Sequence, residues 1–206
     1  MQRIPVFSVI ALLVLAPAAF AVPDADGNVT STPAPDLSSD AAMKARINYN
    51  VGFEGFEKTK NLELEGASLS GAQARDNEAA VKAGFAEART HFRAAASADP
   101  NMKEAWNMVG YTSRRLGDYE ESLAAYDKAL KLAPDYPEAI EYRAELFVLT
   151  GRFADAKAAY ASLLKSSPSY AGTLKGSMRD FIKSRQIVPT VAAADRAAFE
   201  NWVASL

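Results

Sequence analysis

The chain of 206 residues carries one histidine, His91, and no cysteine. Disulfides, thiolate metal sites and histidine metal clusters are therefore excluded. Most nucleophile–base pairs cannot be built either. The sequence displays no Ser–His–Asp, Cys–His or paired-carboxylate arrangement and no Gly-x-Gly phosphate loop. Its most suggestive ionisable run is Glu138, Glu141 and Glu145, which share one face at helical spacing. Three carboxylates without a histidine read as a solvated face, and Glu138 gains from the positive end of its helix. His91, beside Phe92, is expected to face solvent on a convex side. Charge is near balance, 23 basic against 25 acidic residues, so the basic excess of a nucleic-acid binder is missing. These residues imply no enzyme, no metal and no cofactor, and they turn attention from catalysis to binding.

The elements that position these residues repeat. Residues 103–136 carry Trp106, Gly110, Gly117, Tyr119, Tyr126, Ala129 and Pro134. The same skeleton returns one period later as Gly151, Phe153, Ala156, Tyr160 and Pro168. One period earlier it appears as Phe85, Ala88, Phe92, Ala95 and Pro100. Trp106, Val109, Gly110 and Ser113 fall on one helical face. Gly110 costs about 1 kcal/mol of helix propensity relative to alanine, which points to a close approach by a second helix. Gly117-Asp118 ends the first helix. Leu123, Tyr126, Ala129 and Leu130 make the stripe of a second, which Pro134 stops. Neither helix can bury its stripe alone, so such units stack. Trp106 is expected in the core between them.

This skeleton resembles the tetratricopeptide repeat (TPR), a helix–turn–helix unit of about 34 residues. The resemblance implies an all-α helical solenoid, with repeats at 103–136 and 137–170. Ser113 and Arg143 depart from the family pattern, where an aromatic and a leucine-like residue are usual. Tyr49-Asn50-Val51-Gly52 echoes the Trp106–Gly110 segment, so Gly52 aligns with Gly110. That places a first repeat within 40–102 and an insertion of 24 residues between Gly52 and Ala88. A gapless alignment from Leu69 would put Arg75 and Asp76 where Val109 and Gly110 stand, which suits neither packing nor close approach.

Outside the repeats, residues 1–21 read as a secretory signal: Arg3, an apolar run from Ile4 to Leu15, and the small-x-small triplet Ala19-Phe20-Ala21. Cleavage is expected after Ala21, leaving no membrane span; an uncleaved anchor is the alternative. Residues 22–39, with Pro23, Pro33 and Pro35, read as a disordered linker. A helix is expected from Asp40, a candidate N-cap, to about Leu64. Segments 171–185 and 190–205 carry apolar stripes (Leu174, Met178, Phe181, Ile182; Val191, Ala198, Phe199, Trp202), with Thr190 as a candidate N-cap. They read as capping helices over 171–206.

The resemblance further implies that the first helix of each repeat lines a concave groove holding a protein or peptide partner. The lining set is Glu104, Asn107, Tyr111, Arg114 and Arg115 in one repeat, and Glu138, Glu141, Glu145, Val148 and Leu149 in the next. In the first repeat it is Arg46, Tyr49, Phe53, Phe56 and Glu57. These residues are expected to lie off the buried stripes, with Arg114 and Arg115 facing the three glutamates across one groove. Alternatively the arginines and glutamates pair with each other. The carboxylate clamp by which some TPR proteins hold chaperone tails is absent: the corresponding positions are Tyr49, Phe53, Met108, Glu138 and Tyr142. The resulting reading is a periplasmic or secreted scaffold binding a protein or peptide. A structural oligomer whose groove receives a neighbouring subunit is the rival, and an enzyme accessory or hydrolase a third possibility.

Overall fold

The computed structural model describes residues 40–184, 186–187 and 191–206. The signal at 1–21, the linker at 22–39 and the Thr190 cap lie outside the described residues. Eight helices follow in order among the described residues: α1 (Asp40–Gly66), α2 (Gly71–Ala98), α3 (Lys103–Leu116), α4 (Tyr119–Leu132), α5 (Pro137–Leu149), α6 (Phe153–Ser166), α7 (Pro168–Ser184) and α8 (Ala193–Ser205). Asp40 is the first residue of α1 rather than a cap preceding it.

Consecutive helices form antiparallel hairpins that stack into an all-α helical-repeat solenoid. Glycine sets the spacing within the first two hairpins, and buried Ala144 takes the same position in the third. A Cβ on Gly110 would lie 2.5 Å from the Tyr126 ring, and one on Gly52 3.0 Å from Phe92. Gly52 thus faces its second helix as Gly110 faces its own. The additional residues of the first hairpin lengthen both its helices: α1 and α2 run 27 and 28 residues, against 14 each for α3 and α4. The outer part of that hairpin overhangs the α3–α4 turn.

The turns recur with the repeat. Gly117 and Gly151 adopt φ of 83° and 77°, the left-handed conformation that closes a helix. The Asp118 and Arg152 amides then donate to the carbonyls of Ser113 and Phe147 at 2.9 and 2.7 Å. Gly151 is doubly constrained, because a Cβ there would strike Val191. Gly117, Pro134 and Pro168 are not buried and contribute through the backbone, by ending or starting helices. Among the other signature residues, Tyr126, Ala129, Phe153 and Ala156 are buried, while Tyr119 and Tyr160 are half-buried.

Trp106 departs from expectation: it is half-buried. Its ring fills the seam among α2, α3 and α5. Its Nε1 donates to the Pro100 carbonyl at 2.9 Å and Lys128 lies 3.9 Å from the ring centre, so one edge stays at the surface. The two departures from the family pattern are compensated by polar contacts. Ser113 is fully buried and its Oγ donates to Glu121 at 2.7 Å. Glu121 also accepts from Arg93 of α2 at 2.8 Å, which ties three helices at one carboxylate. Arg143 lies 5.5 Å from the Phe147 ring centre and pairs with Asp127 at 2.6 Å. His91 is half-buried, with its Cβ against Gly52 of α1, so it packs at the hairpin seam instead of standing free on the convex side.

At the C-terminal end, α7 packs on α5 and α6. Phe199 of α8 stacks on Phe153 at 4.2 Å and Trp202 meets Tyr160 edge-on at 5.7 Å. Leu174, Met178, Ile187, Phe199 and Val203 are buried in the same cluster.

Candidate partner-binding face

The first helices of successive hairpins, α1, α3 and α5, are connected by an aromatic ladder. Phe53 stacks on Tyr49 at 6.1 Å and leans on Phe56 at 5.8 Å. Phe56 meets Tyr111 edge-on at 5.2 Å, and Tyr111 meets Tyr142 edge-on at 4.9 Å. Such pairs are each worth about 0.5–1.5 kcal/mol beyond the area they bury. The ladder crosses the repeats. Phe53, at its α1 end, is 40% exposed; Tyr49 and Tyr142 are half-buried.

A second cluster lies near the starts of α3 and α5. Tyr170 Oη donates to Glu138 at 3.0 Å, and Lys103 stands 4.8 Å from the Tyr136 ring centre. Burial, then Glu104 and Glu138, push the Tyr49 hydroxyl pKa well above its ordinary value. Burial and Glu138 do the same to Tyr136. These phenols stay neutral. Tyr136 and Tyr170 stand one repeat period apart, so the periodicity was a signal that could have placed them here.

The expected groove set divides. Glu104, Arg115 and Glu138 remain half-buried. Asn107, Tyr111, Arg114, Glu141, Glu145, Val148 and Leu149 are buried instead of lining a surface. The reason is lateral packing. α3 is flanked by α1 and α5, and α5 by α3 and α7, so positions off the hairpin stripe of these two helices are covered by the adjacent repeat. Val148 belongs to the C-terminal core, and Tyr111 lies between Phe56 and Tyr142.

Within this seam Arg114 Nη2 forms an ion pair with Glu145 Oε2 at 2.5 Å, and the two side chains are only 6% and 9% exposed. Glu141 is 2% exposed beside them. Burial, then Glu145, raises its carboxyl to about 9. It therefore holds a proton at neutral pH, and the charged groups of the triad reduce to one cation and one anion. Burial opposes the Arg114 charge, but Glu145 more than offsets it and holds the guanidinium firmly protonated. Asn107 Oδ1, Arg114 Nε, Tyr126 Oη and Glu141 Oε1 have no protein hydrogen-bond partner.

Arg115 does not face the glutamates of α5. It turns to α1, donating to Glu63 from Nη1 at 3.1 Å, and its guanidinium covers Phe85 at 4.6 Å. Burial works against the Glu63 charge, but hydrogen bonds from Arg115 and Lys60 hold its carboxyl below the ordinary value. The opposed charge clusters of the expected groove are thus consumed internally: Arg114 by Glu145, Arg115 by the overhanging hairpin. Beneath the overhang lies an open cleft of about 620 Å³ bordered by Glu63, Asn77, Lys82, Arg115 and Tyr119.

Among the described residues, no group of three or more His, Cys, Asp or Glu side chains is placed to hold a metal ion. No helix among them is long and apolar enough to cross a membrane.

Known proteins share the repeat. One tetratricopeptide repeat model matches residues 72–137 and another matches residues 114–176, together more than half of the chain. The chain is 31% identical over 97 residues to Superkiller complex protein 3 of Mus musculus, covering 47% of this chain and 6% of that protein. It is 33% identical over 76 residues to the TPR repeat-containing thioredoxin TTL4 of Arabidopsis thaliana, covering 37% of this chain and 11% of that one. The chain therefore spans a small part of either relative, and what they share is the repeat. A solenoid of stacked helical hairpins whose signature returns at Pro100, Pro134 and Pro168, matched by two repeat models, is a protein–protein interaction fold, and the chain belongs to the tetratricopeptide repeat family.

Proposed function

We propose that the protein is an exported adaptor that holds an extended segment of a protein partner on the concave side of α1, α3 and α5. The observation that carries this reading is the aromatic ladder, with Phe53, Tyr49 and Tyr142 retaining exposed ring surface in a row across the hairpins. Such rings supply large contact area at low entropic cost. Glu104 and Glu138 at the same level favour a segment carrying a lysine or arginine, and complementary charge of this kind chiefly sets orientation and association rate. Arg114 and Arg115 are engaged within the fold and offer no charge to the segment.

Site-specific photocrosslinking tests the face. A crosslinking residue at Phe53 or Tyr142 should trap a partner in envelope extracts, whereas one at exposed Ala124 or Ala161 on the second helices should not. Equal adducts from both sets would overturn the groove reading.

The proposed compartment is the periplasm or the exterior, supported by the positively charged start, the short apolar run and the Ala19-Phe20-Ala21 triplet. Val22 should be the first residue of the exported protein on N-terminal sequencing. A Met1 start in a membrane fraction would refute it.

A further inference from the structure

The two ends of the described solenoid are finished differently. The C-terminal hairpin is covered by α7 and α8. Among the described residues nothing covers the outward face of α1, where Met43, Ile47 and Val51 are 51%, 57% and 45% exposed on one stripe. Solenoids need their terminal faces covered or polar, and the middle of this one is apolar with no described residue over it.

The stripe has an internal order. At heptad spacing, Asp40, Ile47 and Glu54 take one seam position, and Lys44, Val51 and Lys58 the other. All six are exposed. A second α1 laid antiparallel across the stripe brings one seam position against the other. Ile47 then meets Val51 of the second copy, Lys44 meets its Glu54, and Asp40 meets its Lys58. By two-fold symmetry every layer occurs twice, giving two apolar layers flanked by four layers of opposite charge. A parallel arrangement would set Asp40, Lys44, Glu54 and Lys58 each against its own copy, four like-charge layers. Ala41 and Gly55 flank the stripe on one side, and a Cβ on Gly55 would meet nothing within 4 Å, so the helices can approach closely there. The ion pair between Lys58 and Glu54 of one chain, with side chains 71% and 69% exposed, offers little resistance to exchange.

We propose that the outward face of α1 is a self-association surface, occupied by α1 of a second copy in antiparallel register. From Asp40 to Lys58 the seam is about 28 Å long, so the contact belongs with the small, reversible interfaces below about 1,200 Å². The dimer is concentration-dependent. It leaves the aromatic ladder on another side of α1 open, so its success or failure is separate from that of the groove.

Sedimentation equilibrium of the purified chain tests it, with far-UV circular dichroism as the check on folding. Lys44→Glu alone or Glu54→Lys alone should weaken self-association about tenfold or more, and the two together should restore it. The chain has no cysteine, so introduced thiols report register directly. Lys44→Cys mixed with Glu54→Cys should give a disulfide heterodimer, in preference to self-crosslinking of Ile47→Cys. A monomer at every concentration, as when a different protein covers the stripe, overturns the proposal. So does a double charge swap that fails to restore association, or a preference for the Ile47→Cys crosslink.

Discussion

Replacing Glu141 by glutamine tests the central electrostatic claim, that a protonated carboxyl sits in the seam between α3 and α5. In the unfolded chain this carboxyl titrates near 4.5; in the folded chain it titrates near 9. Between those values the folded state holds one proton that the unfolded state has released. Stability therefore falls as pH rises through this window, by up to about 1.4 kcal/mol per pH unit. By pH 7 the accumulated loss is roughly 3 kcal/mol relative to pH 4.5, a substantial part of the roughly 5–15 kcal/mol typical of a domain. Glutamine keeps the shape, can donate to Glu145 as the protonated carboxyl does, and cannot ionise. The Glu141→Gln protein should match the wild type near pH 4.5 and become progressively more stable than it toward pH 8. Urea unfolding at one-unit intervals between pH 5 and 9 measures the gap. Two parallel stability–pH curves, or a variant less stable at pH 8, would show that Glu141 is ionised in the fold and would refute the reasoning.

Two further tests bear on the scaffold. Arg114→Ala should cost about 3–5 kcal/mol in urea unfolding, because it leaves Glu145 buried without its counter-ion, whereas the paired change Arg114→Met with Glu145→Leu should recover most of that loss. Gly117→Ala should cost about 1–2 kcal/mol through its left-handed backbone alone; Gly151→Ala should cost visibly more, and shortening the opposed side chain with Val191→Ala should return part of the difference in a thermal melt.

Much of the fold was legible because it is periodic. Prolines and glycines recurring once per repeat fixed the turns, and the Gly52–Gly110 equivalence placed α1 against α2 despite the longer hairpin. The helix expected from Asp40 to about Leu64 accounts for the length of α1, which ends at Gly66; the early start of α2 at Gly71 was not legible. The site was read less well, for one physical reason. A helical wheel separates the face packed within a hairpin from the rest, but it carries no information about flanks covered by the next repeat. Arg114, Glu141 and Glu145 were therefore assigned to solvent when they belong to a buried seam. Trp106 erred in the opposite direction: its size suggested full burial, but its indole N–H is satisfied at the surface by the Pro100 carbonyl.

The overhang of the first hairpin also bears on how the chain can be handled. Residues 67–73 at its tip are exposed, and the Asn77 side-chain bond to the Leu62 carbonyl, at 3.0 Å, ties the two helices just below. Little of the repeat stack bears on this tip, and exposed turns of this kind tolerate spliced-in sequence best. A fluorescent reporter inserted at Ser68 would ride clear of both the aromatic ladder and the α7–α8 end, so a tagged chain could be followed in the cell with its binding surfaces intact.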